Sequence, residues 1–397
     1  MIWLWLLALG LFLQLSGLLL NNDGSRYATQ LYLLLFLPTL LLLCWQRFAV
    51  ALWLQPAGLI LLGLFAWVLV SAEWVATPSA GALRWLKTIA LILLYLFAVA
   101  SLVRHERAFT WLLLAVATVA AVFAWWTLVY QFGVLGKPLD YEVVRHAGRL
   151  RELGWNGLGD LDHPIVAGLY YGVFAVILSY LFVGLEMKAG RALLLALGMC
   201  GLLAYLLLTF SRGAWFATGA GGLLTLLLFP NTKSRSLLAA GLLILLVGAW
   251  LFWPELQNEK KVGFNNRGAI WDEWLVRFPD FWLLGSGAGA DFNFAFPPPS
   301  TWTVKHAHSL YLQFWYEYGV PGIGLFAALL LSLLWKGWVC RRSAIARLGL
   351  ALLGFALVGM VSDIYAVIHR PSPYWVVFWL PVGILLGVRP PAEERAA

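Results

Sequence analysis

Long apolar runs separated by short polar connections account for most of this chain. A helix needs about 20 mainly apolar residues to cross the hydrocarbon of a bilayer. Twelve runs reach or approach that length, at residues 1–20, 28–46, 49–70, 86–103, 108–133, 163–185, 192–211, 213–229, 237–253, 317–337, 348–363 and 373–388, the last two being short. The runs are continuous and do not alternate with polar positions, which excludes a membrane β-barrel. The pattern predicts an all-α integral membrane protein of about 12 transmembrane helices, a single polytopic domain over 1–397. Two polar interruptions, 134–162 and 254–308, are too long for simple turns.

The longest departure from the apolar pattern runs from Asn265 to Gly324 and contains FNNRGAIWDEWLVRF, LLGSGAGADF and KHAHSLYLQFWYEYGVPG. In the first, Ile270, Trp271, Trp274 and Phe278 share one helical face, which predicts an amphipathic helix lying on the membrane surface. The second is glycine-rich but follows no strand and lacks the Lys-Ser/Thr of a phosphate loop, so it reads as a tight loop. Pro297 to Pro299 stiffen the approach to a histidine pair, His306 and His308, just before an aromatic helix.

Composition supports the membrane reading, with 62% hydrophobic residues, 12% charged residues and a mean hydropathy of +0.83. Met1 to Leu20 lacks a basic start and a small-residue cleavage site and reads as a retained first helix. Cys44, Cys200 and Cys340 fall in or beside predicted helices, too far apart in sequence to suggest a disulfide framework or a metal site. The net charge of +8 is spread over membrane loops and not on one soluble face, so it does not signal nucleic acid.

With the N-terminus in the cytoplasm, the inner loops carry thirteen Lys and Arg, from Arg47 to Arg395. The short outer connections then carry five: Arg26, Arg84, Lys87, Arg212 and Arg370. That bias predicts both termini inside and the polar island outside. The two long outer loops hold nine further basic residues, more than topology requires.

Individual residues narrow the chemistry. Arg212, where two apolar runs meet in LLLTFSRGAWF, either snorkels to the outer surface or binds an anion at a cavity mouth, with Gly213 allowing close approach of a bulky ligand. Arg267 opens a helix, where the macrodipole disfavours a cation and an anionic ligand would relieve the penalty. Asp272, Glu273 and Arg277 read as solvated charges on the same helix. His306 and His308 admit three readings: metal ligands, structural hydrogen-bonding groups, or a general base with an unperturbed pKa of about 6.5. Arg84 and Lys87, at i, i+3 spacing, extend the basic surface or snorkel. His163, in DHPIVAG, reads more readily as a cap than as a catalyst. Asp363, His369 and Arg370 lie in the last outer loop, within possible reach of the same cavity.

The order TFSRGAW, NRGAIWDEWL with LLGSGAG, then HAHSLYLQFWYEYGVPGIGLF resembles the O-antigen ligase and polymerase superfamily. The most specific element is His308-Ser309 followed by Leu312, Glu317, Gly319 and Gly322, and the motifs span about 200–325. Ser309 stands where that family commonly has Asn, and His306 is not part of the shared pattern. The resemblance implies a multi-pass enzyme of the bacterial inner membrane with a periplasmic active site. It further implies a glycan donor linked to undecaprenyl diphosphate, a lipid A-core acceptor, and membrane lipids as the other partners. By the same resemblance His308 is the base and Arg212 and Arg267 bind the diphosphate; Arg84, Lys87 and His306 are further substrate-binding candidates on their own chemistry and position, outside the resemblance.

Such chemistry needs neither cofactor nor metal, because guanidinium–phosphate bonds stabilise the leaving group's charge. His308 would take a proton from an acceptor hydroxyl that attacks the anomeric carbon in one inverting step. Trp and Tyr stack on sugars or form interfacial belts. Other acceptors would make the chain an O-antigen polymerase or a protein O-oligosaccharyltransferase. A transporter, the reading from another class, predicts charges buried mid-helix and an internal repeat, and neither is evident.

Overall fold

The computed structural model describes residues 2–45, 48–74, 81–263, 267–298, 302–372 and 374–389. Arg47, Asn265, Asn266, Pro299 and Arg395 from the sequence reading lie outside the described residues. The chain is nearly all helix. In order the helices are α1 (Ile2–Leu20), α2 (Gly24–Leu31), α3 (Leu37–Trp45), α4 (Phe48–Leu54), α5 (Pro56–Ser71) and α6 (Ala82–Val103). They continue with α7 (Glu106–Leu128), α8 (Tyr141–Ala147), α9 (Pro164–Gly184), α10 (Ala189–Leu208), α11 (Arg212–Leu228) and α12 (Thr232–Leu251). The polar island and C-terminal part hold α13 (Trp253–Val262), α14 (Arg267–Phe281), α15 (Leu310–Val339), α16 (Ala344–Ser362), α17 (Tyr374–Val377) and α18 (Trp379–Gly387). A short antiparallel pair, β1 (Phe294–Ala295) and β2 (Thr303–Val304), precedes the histidines.

Among the described residues ten helical segments are long and apolar enough to cross a membrane. The other two predicted runs are shorter. α11 has 17 residues, and the last run, Trp375–Gly387, forms a short helix pair. That pair is fully enclosed, with Trp375 and Trp379 buried among α6, α9 and α16. A segment surrounded by protein need not match the bilayer thickness, because its ends meet protein groups instead of headgroups. Other boundaries shifted where a polar cap preceded the apolar run. Asp23 accepts from Ser25 N and Arg26 N, so the second span starts at Gly24. Arg84 and Lys87 likewise fall inside α6, which begins at Ala82.

The ends of the bundle are tied by backbone and side-chain donors, most of which satisfy carbonyls at or near helix ends. At one end Leu150 N donates to Leu208 O (3.1 Å), Gly159 N to Leu19 O (3.0 Å) and Trp67 Nε1 to Tyr318 O (2.8 Å). At the other, Lys336 Nζ donates to Gln55 Oε1 (2.6 Å) and Leu386 O (2.7 Å), and Lys233 Nζ to Leu185 O (2.7 Å). α9 runs through the core, buried along most of its length. α12 is its opposite: Leu243, Ile244 and Leu245 are among the many apolar side chains it leaves exposed, the surface expected against lipid.

The glycine-rich segment proves to be a clamp around a break in α15. Gly319 adopts φ +61° and interrupts the helix there. Ser286 N donates to Tyr316 O (2.7 Å), Gly287 N to Glu317 O (2.9 Å) and Val320 N to Leu283 O (3.0 Å). A Cβ on Gly285 would lie 2.6 Å from Gly319 N, so backbone meets backbone and side chains are excluded at both positions.

α14 departs from the expectation of a helix lying on the membrane surface. Its apolar face is covered by protein: Ile270, Trp274 and Phe281 are buried with Phe292, Val304 and Ala307, and Trp271 and Phe278 pack beside them. Trp271 Nε1 donates to Ala307 O and Trp274 Nε1 to Leu312 O, both at 3.0 Å. An amphipathic stripe is satisfied equally by lipid or by a protein surface, and here α15 and the β-pair supply the surface.

Candidate active site

The site is assembled where α11 begins, α16 ends and α15 is about to begin. Phe210, in the turn before α11, takes a left-handed φ of 47°. Arg149 fixes that turn, its Nε donating to Thr209 O (2.7 Å) and its Nη2 to Phe210 O (3.2 Å). Ser211 caps α11, its Oγ accepting from Ala214 N (3.4 Å) while donating to Asp363 Oδ2 (2.8 Å). Gly213 is small because that carboxylate lies against it: a Cβ would sit 2.5 Å from Asp363 Cγ and 2.7 Å from Oδ1. The sequence reading gave this space to a ligand, and in the structure Asp363 fills it.

Asp363 is nearly buried, and its Oδ1 accepts from Arg267 Nη2 at 2.9 Å. The pairing resolves two unfavourable placements together. Arg267 is a cation at a helix start and Asp363 an anion at a helix end, each opposed by its own macrodipole. Burial lowers the Arg267 pKa, Asp363 opposes that shift, and the nearby Arg212 charge adds to it. Arg267 Nε is buried and has no hydrogen-bond partner among the described residues.

The histidine pair is held by its neighbours. Ala307, between them, donates its N–H to Gln313 Oε1 (3.0 Å), and Gln313 Nε2 donates to Glu317 Oε1 (2.8 Å). Glu317 in turn accepts from Gly289 N (2.9 Å), which joins the histidine segment to the glycine clamp. His308 itself takes a left-handed φ of 52°, a conformation that costs free energy for a non-glycine residue and concentrates at functional sites. The rings of His306 and His308 meet edge-on with centroids 4.3 Å apart, and His306 stacks on Tyr365 at 3.9 Å. Burial pushes the His308 pKa down to about 4, and the charges of His306, Arg267 and His163 add to the shift. His306 is also pushed down to about 4 by burial, against the raising effect of Asp291. Both imidazoles are therefore neutral near pH 7, and His306 Nδ1 is buried without a partner among the described residues.

Arg212 stands beside this cluster, but its guanidinium is engaged with α13. Nη1 donates to Glu259 O (3.0 Å), Nη2 to Gly263 O (2.7 Å), and Nε lies 3.7 Å from Glu259 Oε2. A cation is favoured at that helix end. Glu259 is buried and also accepts from Tyr141 OH (3.0 Å) and pairs with Arg145, so the loop carrying α8 joins the same network. Arg84 and Lys87 belong elsewhere: both are exposed on α6, and Lys87 lies over the Tyr32 ring at 5.3 Å. His163 caps α9, its Nδ1 accepting from Ile165 N (3.2 Å). His369 binds within its own loop, where Nδ1 lies 2.7 Å from Arg370 O. Among the described residues no three His, Cys, Asp or Glu side chains gather as metal ligands.

The chain is 25% identical over 391 residues to an O-antigen ligase of Pseudomonas aeruginosa, an alignment covering 96% of this chain and 90% of that protein. A family model described as O-antigen ligase matches residues 192–327. Both findings agree with the motif resemblance, so the chain is similar to O-antigen ligases over its central motifs and along nearly its whole length. Its apolar helices make it a multi-pass membrane protein. The stretch matched by the family model contains Arg212, Arg267, His308, Gln313 and Glu317; Arg149 and Asp363, which complete the cluster, lie outside it.

One prediction follows from the contact at Gly213. Gly213→Ala should displace the Asp363 carboxylate and lower glycan transfer by about 10²-fold, the cost of a misplacement near 1 Å. Gly219→Ala, on the same helix with open space around it, should leave transfer unchanged. Transfer rates of the two purified variants, compared at equal membrane insertion, check this.

Proposed function

We propose that this protein is an O-antigen ligase that moves a glycan from undecaprenyl diphosphate to the lipid A-core of lipopolysaccharide. The reaction takes place at the periplasmic face of the inner membrane, with both chain termini in the cytoplasm. The observation that carries the reading is the union, in one half-buried patch, of a neutral imidazole and a guanidinium retaining an N–H unpartnered among the described residues. An imidazole takes a proton, and a guanidinium receives an oxyanion.

In this mechanism the acceptor hydroxyl gives its proton to His308 as its oxygen forms a bond to the anomeric carbon of the donor sugar. The bond from that carbon to the phosphate oxygen breaks on the opposite face, so the configuration inverts. Its electron pair leaves with the lipid diphosphate, whose charge is received by Arg267 and by donors of Arg212 not spent on α13. Arginine suits this role because it presents five N–H donors in a planar fork and stays charged. Asp363 holds the Arg267 fork in place before the donor arrives.

The same electrostatics give a signed pH dependence. In the free protein His308 is deprotonated above about pH 4, so kcat/KM should fall only as the pH drops through that value. A bound diphosphate adds negative charge beside the imidazole and raises its pKa, so the acid limb of kcat should lie at higher pH than that of kcat/KM. Rates measured with purified protein, lipid-linked donor and lipid A-core in EDTA test both points. Coincident limbs would remove the anion from the neighbourhood of His308, and strict dependence on added Mg²⁺ would contradict the arginine mechanism. For the acceptor, a strain lacking the gene should accumulate unligated, lipid-linked long glycan. A core bearing a single repeat would indicate polymerisation instead.

A further inference from the structure

A cavity of about 510 Å³ lies at the end of the bundle away from the histidines. Its lining includes Leu227, Trp338, Val339, Arg341, Arg342 and Arg347. These come from the far ends of α11, α15 and α16, the same three helices whose other ends carry Arg212, Ser309 and Asp363. We propose that this cavity binds the phosphate headgroup of an anionic phospholipid from the leaflet at that end.

Three features of the cavity specify the ligand. Three guanidiniums converge on it and, among the described residues, no carboxylate lines it, so it is complementary to an anion. Its walls are apolar and exposed, Leu227 at 59% and Trp338 at 52%, which suits acyl chains and wastes surface on a free ion in water. The arginines are also arranged rather than scattered. Arg341 lies over the Trp338 ring at 4.3 Å and donates from Nη1 to Trp338 O (2.8 Å). Arg347 lies over Phe229 at 4.8 Å and donates from Nε to Arg341 O (2.6 Å). No hydrogen bond or ion pair engages Arg342 among the described residues, so its full fork is available to a phosphate. Basic pockets between membrane helices are a recurrent form of anionic-lipid site. A lipid held here would bridge the loop after α11 to the α15–α16 turn.

The test is retention of phosphatidylglycerol against phosphatidylcholine by the full-length protein in detergent, read by native mass spectrometry. Wild type should retain phosphatidylglycerol preferentially. Arg342→Gln should weaken that retention about five-fold, the effect expected for one basic group at a lipid headgroup. Leu227→Trp, which fills the cavity from its exposed wall, should weaken it without altering charge. Phosphatidylcholine retention should not change in either variant. Equal retention of the two lipids, or unchanged phosphatidylglycerol retention in both variants, would overturn the proposal. So would inorganic phosphate at millimolar concentration displacing the lipid, since that would make the cavity a free-anion site.

Discussion

Arg267→Lys is expected to lower glycan transfer by about 10²- to 10³-fold, the loss typical of removing one preorganised donor from a developing oxyanion. Lysine keeps the charge and discards the fork. In the proposed mechanism Arg267 has two tasks that need separate N–H groups: Nη2 binds Asp363 Oδ1 at 2.9 Å, while Nε, without a partner among the described residues, is left for the donor. A single ammonium placed to satisfy the carboxylate cannot also face a diphosphate along a second direction. The variant should therefore show both a raised KM for the donor and a lowered kcat. Asp363→Asn separates the two tasks. It retains a polar side chain beside Ser211 but removes the counter-charge, so Arg267 is less firmly placed while its attraction for the donor is undiminished. The expected result is a fall in kcat of at least about tenfold, the equivalent of one unbalanced buried hydrogen bond, with no rise in donor KM. Steady-state kinetics with varied donor distinguish the two patterns.

The second large effect is at His308. Removing a general base costs about 10²- to 10⁴-fold, and no other unprotonated imidazole is placed to substitute without moving, since His163 caps α9 and His306 stacks on Tyr365. The choice of replacement matters because the residue has φ 52°. Asparagine tolerates that region far better than most residues, so His308→Asn removes the base with less backbone strain than alanine would introduce. Retained folding can be verified by unchanged thermal unfolding. A rate within tenfold of wild type would remove the base assignment.

Much of the fold could be read from the apolar runs, because a bilayer leaves a chain few alternatives to helices of fixed minimum length. What the runs do not encode is where a helix is surrounded by protein instead of lipid. The last apolar run reads as a span, yet Tyr374 to Gly387 fold into a short enclosed pair, and the apolar face of α14 turned inward for the same reason. The break in α15 was also hidden: Gly319 takes its positive φ because the clamp from Gly285 to Gly289 crosses it, a contact between distant segments. Within the site, Arg267 could be singled out because a cation at a helix start is locally wrong, and that misfit is visible in one segment. Its partner Asp363 lies 96 residues away, and sequence could place it in the right loop but not against Arg267. Arg149 and Glu259 carried no local signal, since a charged residue in a polar loop is ordinarily solvated.

The central claim is that His308 acts on the acceptor's proton while the arginines hold the donor, so binding and transfer should be separable at one residue. The most direct measurement is made on His308→Asn protein in EDTA, loaded with lipid-diphosphate donor and then mixed with lipid A-core. The account predicts donor binding close to that of wild type and transfer slower by at least about 10²-fold. Donor binding lost together with transfer, or transfer at the wild-type rate, would contradict it.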